Sequence, residues 1–188
     1  GIPKERIVFL PKSENWWGPA GETGPCGPDT EMFYWIGKGN PSKLTNANNE
    51  NWVEIGNDVL MQYIKTSDGK FIPAKQKNID FGGGVERTIA VLQGKKSVYE
   101  TEVFLPIIKK IEELSKKSYE KNKQEMRIIA DHIKAAVFII ADGILPGNTE
   151  QGYVLRRLIR RAVRYARELK IRGSLSQLAL PVFDIYKD

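Results

Sequence analysis

Asp80-Phe81-Gly82-Gly83-Gly84-Val85-Glu86-Arg87-Thr88-Ile89-Ala90-Val91-Leu92-Gln93 (residues 80–93) holds the transition on which the fold turns. An extended run ends in three glycines, and a helical pattern begins at Val85. Three glycines let a ligand press against bare backbone. The start of a helix offers free N–H groups and the positive end of its dipole, which suits a phosphate or carboxylate. Arg87, one turn in, is placed for paired hydrogen bonds to phosphate oxygens. Asp80, at the strand end, is placed to accept from an ammonium group. Taken alone, the run reads first as a flexible turn with a salt-bridged arginine, because glycines punctuate loops routinely.

Upstream, Ser67-Asp68-Gly69-Lys70 is a hairpin signal between a strand over 59–65 and a returning strand from Phe71. Glu31–Ile36 is a further strand candidate, residues 37–51 read as a surface loop, and Gly24-Pro25-Cys26-Gly27-Pro28 reads as a rigid turn. These pieces make an antiparallel sheet with flanking loops. Downstream the pattern turns helical. Val103, Ile107, Ile108, Ile111 and Leu114 recur at helical spacing within 102–117. Residues 118–124 form a charged linker, read as a domain boundary between 1–120 and 121–188. A helix over 126–141 ends at Gly143, a C-terminal cap. Pro146 and Gly147 form a turn, and a long helix runs from Asn148 or Thr149 to about Lys170. Gly173 stops it, and 175–186 makes one more helix. The expected class is α+β, a sheet followed by a helical domain.

The chain has 188 residues and a net charge of +6, with 41% hydrophobic and 28% charged residues, the balance of a globular protein with a buried core. No run reaches the roughly 20 apolar residues of a membrane span, and residues 1–10 carry no signal-peptide pattern. Cys26 is the single cysteine, so neither an internal disulfide nor a structural zinc site is expected of it. The expected location is cytoplasmic. The excess positive charge gathers late: residues 151–173 hold eight basic side chains against Glu168 alone. Charge of one sign on one segment points to a polyanion such as tRNA, DNA or anionic lipid.

That segment includes Tyr153–Lys170, YVLRRLIRRAVRYARELK. Val154, Leu155, Leu158, Ile159, Ala162, Val163 and Ala166 form one apolar face. Arg156, Arg157, Arg160, Arg161, Arg164 and Arg167 crowd the rest. Like charges at i, i+4 cost a few tenths of a kcal/mol per pair, so such a helix needs acidic neighbours or a polyanion. About two of the arginines are expected to pair internally with Asp131, Asp142 or Glu150, and the others to meet phosphate, which guanidinium recognises better than ammonium does. Asn148, just ahead of this helix, reads either as its cap or as an amide that reads base edges. His132 has no partners that point to catalysis and reads as a buried or capping histidine.

Several of these stretches together resemble the class II aminoacyl-tRNA synthetases, in their alanyl branch. Gly82-x-Gly84-x-Glu86-Arg87 resembles motif 3 of that class, and 80–93 is similar to the branch pattern DTGMGLER…AVLQ, with Phe81 and Gly83 as departures. Asn15-Trp16-Trp17 and the following Gly21–Pro28 resemble NFW…GDTGPCGP, with one extra residue between the two pieces and Glu22 for Asp. Residues 54–63 resemble EIWNxVFMQF, with Gly56 in place of a tryptophan. Residues 127–136 and 141–162 resemble RVIADHIRA and ADGVLPSN…GYVLRRIIRRA nearly residue for residue.

The resemblance implies part of a class II antiparallel sheet with flanking helices (1–120), then a helical domain that grips the tRNA acceptor stem (121–188). It implies alanine contacts by Trp17, Asn57, Val59, Asp80 and Gly82. ATP contacts would come from Glu31, Glu54, Gly84 and Arg87, with Arg87 as the catalytic group and Mg2+ as the accompanying ion. Alternatively, Glu31 and Glu54 are solvent-facing strand carboxylates and Trp17 is a core aromatic. The resemblance also implies tRNA contacts by Asn148, Arg156, Arg157, Arg160, Arg161 and Arg164, Asn148 reading the G·U wobble pair of the alanine tRNA. Motifs 1 and 2 of the class precede the stretch that Gly1–Ile7 resembles. The expectation is therefore a piece of an ATP-dependent alanine-tRNA ligase, inactive without its N-terminal portion, with no metal site of its own. The alternative is a non-catalytic RNA-binding module of the same descent.

Overall fold

Four strands pair antiparallel in the order β1-β2-β3-β4: β1 (Trp16–Trp17), β2 (Gly24–Trp35), β3 (Trp52–Lys65) and β4 (Phe71–Gly83). The computed structural model describes residues 1–41 and 50–187, so the loop expected over 37–51 lies partly outside the described residues. Helix α1 (Val85–Leu92) follows β4. Then come α2 (Leu105–Ser115), α3 (Lys123–Ala141), α4 (Glu150–Glu168) and α5 (Leu180–Ile185), with short 3-10 turns between some of them. Two compact units result, Gly1–Lys96 and Ser97–Asp188. The α+β class read from the sequence is the class observed.

The β3–β4 hairpin forms where its turn residues predict. The Thr66 N–H donates to the Lys70 carbonyl and the Gly69 N–H to the Thr66 carbonyl, each at 2.9 Å. Gly69 takes a φ of +81°, a region that L side chains resist. The Asp68 carboxylate accepts from the Lys70 ammonium at 2.8 Å and from the Thr66 hydroxyl, and these contacts hold its pKa down. One sheet face carries an aromatic cluster. Trp16 stacks on Tyr63 at 5.6 Å and meets Phe71 edge-on at 5.5 Å, with the Lys12 ammonium 3.8 Å from the Trp16 ring centre.

The expected rigid turn at Gly24–Pro28 is instead the first half of β2. Gly24, Pro25 and Cys26 pair with Lys65, Ile64 and Tyr63, and the register shifts between Cys26 and Asp29. The glycine there serves close approach: a Cβ on Gly27 would run into the Leu60 carbonyl of β3. Gly27→Ala must part the two backbones and is expected to cost this unit about 1–3 kcal/mol. All four tryptophans (Trp16, Trp17, Trp35, Trp52) lie in this unit. The loss would be read as a lower denaturant midpoint by tryptophan fluorescence.

The second unit is built on one apolar core. Ile107, Ile108 and Ile111 of α2, Met126, Ile129 and Ala130 of α3, and Ala162 and Ala166 of α4 meet Leu169, Leu178 and Val182 there. The units part at Lys96/Ser97, ahead of the position expected from the charged 118–124 run. That run belongs to the helical core. Tyr119 is buried, its backbone N–H donates to Glu112 Oε1 at 2.6 Å, and its hydroxyl accepts from Arg127 Nε at 2.7 Å. Charge marks the outer side of the segment, and one aromatic anchors the inner side. α2 begins at Leu105, with Pro106 in its first turn, later than the apolar spacing from Val103 implies.

α3 ends as read: Gly143 adopts φ +86° and its N–H donates to the Ile140 carbonyl at 2.9 Å. His132 is no cap; it lies within α3, its Nδ1 2.9 Å from Asp131 Oδ2. The apolar face of α4 is narrower than its composition implies. Leu155, Ala162 and Ala166 are buried, Leu158, Ile159 and Val163 are half-buried, and Val154 is 53% exposed. At 100° per residue Val154 lies a quarter-turn off the buried line. The segment 175–186, expected as one helix, is a 3-10 turn over Leu175–Leu178 followed by α5, with Pro181 in the first turn of α5.

Candidate functional site

The glycine run does not form the flexible turn that its composition suggests. Gly82 and Gly83 are strand residues, paired with Asn57 and Gly56 of β3. None of Gly82, Gly83 and Gly84 takes a positive φ. Their value is space. A Cβ on Gly82 would stand 2.5 Å from Asn57 Oδ1, and one on Gly84 would stand 3.1 Å from Arg87 Cδ. The missing side chains thus make room for the Asn57 amide and for the Arg87 stem.

Strand register gathers the polar residues. Asn57 pairs with Glu31 on one side and Gly82 on the other, and Val59 pairs with Asp29 and Asp80. Residues two apart on a strand share a face. Asp29, Glu31, Asn57, Val59, Asp80 and Gly82 therefore lie on the same face of the sheet. A register shift between Met32 and Phe33 sets Phe33 opposite Glu54 rather than Ile55, and such an irregularity re-aims a side chain. Glu54 thereby reaches Arg87: Arg87 Nη1 donates to Glu54 Oε2 at 2.8 Å and to the Glu54 carbonyl at 3.1 Å. The Arg87 side chain stays 51% exposed, so most of its five donors remain open to a ligand.

Gly84 differs from expectation. It is the N-cap of α1, but its N–H already donates to the Ile55 carbonyl at 2.9 Å. Any amide offered to an anion there belongs to the first turn, Val85 onward, and the contribution of Gly84 is the room it leaves for Arg87. Val59 is buried at 3% exposure, whereas Asp80 and Gly82 beside it are exposed. Trp17 stands on β1, paired with Gly27 and 37% exposed. It is therefore not the core aromatic that its size alone suggests.

Sequence reasoning missed the crowding around Glu31. Burial, then the carboxylates of Glu54, Asp29 and Glu14, raise its pKa above the ordinary carboxylate value, and the Arg87 charge works against them. The buried Oδ1 of Asp29 has no hydrogen-bond partner among the described residues. Because the folded pKa of Glu31 lies above the unfolded one, its ionisation opposes folding. Stability is fully present below the unfolded pKa and falls as pH rises through the folded value. Glu31→Gln is therefore expected to raise the melting temperature of the free chain at pH 7 and to leave it unchanged near pH 3. The gain is small because water screens the site, and paired thermal melts at the two pH values would check it.

The second unit presents a cationic surface. Arg156, Arg157, Arg160, Arg161, Arg164 and Arg167 are all exposed. Arg164 Nε donates to Glu168 Oε1 at 3.1 Å. Arg157 lies 5.8 Å from the Tyr153 ring centre. Among the described residues none of the six pairs with Asp131, Asp142 or Glu150, so the internal pairing expected from the sequence is replaced by a single i, i+4 contact. Asn148 is exposed and precedes the N-cap of α4, Thr149, which makes no side-chain cap hydrogen bond. Asn148 is not the cap: its Oδ1 accepts from Arg156 Nη1.

Among the described residues no group of three or more His, Cys, Asp or Glu side chains could hold a metal ion by itself, and no helix is long and apolar enough to cross a membrane. The family described as tRNA synthetases class II (A) matches residues 1–188. The chain is 55% identical over 183 residues to an alanine--tRNA ligase of Treponema denticola, covering 93% of this chain and 30% of that protein. It is 50% identical over 195 residues to an alanine--tRNA ligase of Borrelia hermsii, covering 100% and 33%. It is 49% identical over 173 residues to one of Thermotoga maritima, covering 88% and 20%. The chain thus spans a third or less of the length of these relatives. Matched along its whole length, the chain belongs to the class II (A) tRNA synthetases.

Proposed function

We propose that this chain supplies part of the amino-acid activation site and part of the tRNA grip of an alanine-tRNA ligase. The observation that carries the reading is the half-exposed Arg87 guanidinium, anchored on Glu54 and acting on the charge of Glu31, which shares a sheet face with Asn57 and Asp80. An exposed guanidinium held by one carboxylate keeps donors for the phosphates of ATP. Asp80 accepts from the alanine ammonium. Asn57, the bare backbone of Gly82, Val59 and Trp17 bound the small side-chain space.

The Mg2+ ion that accompanies ATP fits this donor set. Glu31 and Glu54 would hold it, and the orphaned Asp29 oxygen and the raised pKa of Glu31 mark negative charge that a cation relieves. Two carboxylates are a usual protein share for Mg2+, which completes its shell with phosphate oxygens and water. When bound, the ion neutralises phosphate charge. The residues of this chain orient ATP and alanine, so that the carboxylate of alanine attacks the α-phosphate and pyrophosphate leaves. A hydroxyl at the tRNA 3′ end then attacks the alanyl carbonyl, the ester forms and AMP leaves. Catalysis of this kind is positioning and charge stabilisation. The test is alanine-dependent exchange of pyrophosphate into ATP by the full-length protein containing this chain, with exchange expected and its absence decisive against the reading.

A second reading, an RNA-binding module without catalysis, is favoured by one observation. Arg157, Arg160 and Arg161 are exposed on one helix and make no ion pair among the described residues. Binding of the alanine tRNA without pyrophosphate exchange would select it.

A further inference from the structure

We infer that Arg156 is a positioning residue for Asn148: it holds the amide with its carbonyl turned to the guanidinium and its NH2 group turned out, so that Asn148 meets RNA as a hydrogen-bond donor. The inference rests on the proposed reading of Asn148 as a base-edge contact and goes beyond it by assigning the polarity of that contact and the residue that sets it.

Three features tie the segment down. Arg156 Nη1, two turns into α4, donates to Asn148 Oδ1. The Gly147 N–H donates to the Gly152 carbonyl at 2.9 Å, which fastens the Leu145–Asn148 bend to the first turn of α4. A Cβ on Gly152 would stand 2.8 Å from the Leu145 carbonyl and 3.0 Å from the Gly147 nitrogen, so the bend lies directly on the helix backbone. A guanidinium has five donors and no acceptor, so an amide meets it only through oxygen. The NH2 group is then the part of Asn148 left for a ligand. Among the described residues Arg156 forms no ion pair with a carboxylate, and its side-chain partner is Asn148. Without Arg156 an exposed amide turns freely, presenting donor or acceptor. The shallow minor groove of A-form RNA offers base-edge acceptors, a pyrimidine O2 among them.

The competing role for Arg156 is a plain phosphate contact, and the two separate experimentally. The full chain is titrated, across a salt series, with a hairpin RNA carrying the alanine-tRNA acceptor stem with its G·U pair and with the same hairpin carrying G·C there. Arg156→Met is expected to lower the G·U over G·C affinity ratio about fivefold, the weight of one neutral hydrogen bond, whatever the loss in overall affinity. Arg156→Lys, which keeps a donor, recovers part of the ratio. Asn148→Asp keeps a partner for Arg156 but has no donor, and loses the ratio as fully as Asn148→Ala does. Two results overturn the inference alone: Asn148→Asp retaining the ratio, or Arg156→Met weakening both RNAs equally while the salt slope drops by about 1, the mark of a phosphate contact. A wild-type ratio near one, or an Asn148→Ala ratio equal to wild type, overturns the reading of Asn148 itself.

Discussion

Replacing Arg87 with glutamine in the full-length protein is expected, on the proposed function, to slow alanine-dependent pyrophosphate exchange by about 10²–10³-fold, the usual cost of removing one donor aimed at developing charge. Glutamine keeps the stem that fits against Gly84 but loses the charge and the forked geometry. Stability should barely move. The Arg87–Glu54 pair is 51% and 34% exposed on its two sides, and pairs of that kind contribute about 0–1 kcal/mol. A large kinetic loss with an unchanged denaturant midpoint would place Arg87 at the reacting phosphates. Full exchange by the Arg87→Gln enzyme would remove the activation site proposed here. Equal losses in stability and activity would make Arg87 a structural tie between α1 and β3.

The triple change Arg157→Gln, Arg160→Gln, Arg161→Gln should weaken binding of the alanine tRNA at least about a hundredfold at low salt. It should also flatten the slope of log affinity against log salt by about 2–3, near one unit for each phosphate contact removed. The three side chains are exposed, and the buried face of α4 is Leu155, Ala162 and Ala166, so the helix keeps its packing. Removing three like charges relieves repulsion along α4, and the free helical unit should melt no lower than wild type. An unchanged salt slope would show that the nucleic acid meets another surface.

The candidate site was readable in its residue types and only partly in its roles. Asp80, Asn57 and Glu31 stand on one sheet face, which the alternation of strand residues makes predictable once the pairing is known, and Arg87 comes from the helix that follows β4. Glu54 could not be aimed in advance, because its direction depends on the register shift near Ile55. From sequence, Gly82 and Gly83 read as a turn because glycine usually marks one. Here they are strand residues whose missing Cβ atoms make room for neighbours that only the folded chain supplies. Asn148 shows the same limit. Its place before a helix reads as a cap, and the partner that takes its oxygen lies two turns further on.

Local chemistry by itself settled the hairpin at Thr66–Lys70, the Gly143 stop, the existence of α1, α3 and α4 and the arginine-rich face of α4. Each of these depends on contacts within a few residues or on the 3.6-residue period. The tertiary structure alone decided the two-unit division at Lys96/Ser97, the strand character of Gly24–Pro28, the burial of Tyr119 within a charged run, and the coupling of Glu31 to Glu54, Asp29 and Glu14. Those features arise from register and packing between segments distant in the chain. The free energy that selects them is absent until the segments meet.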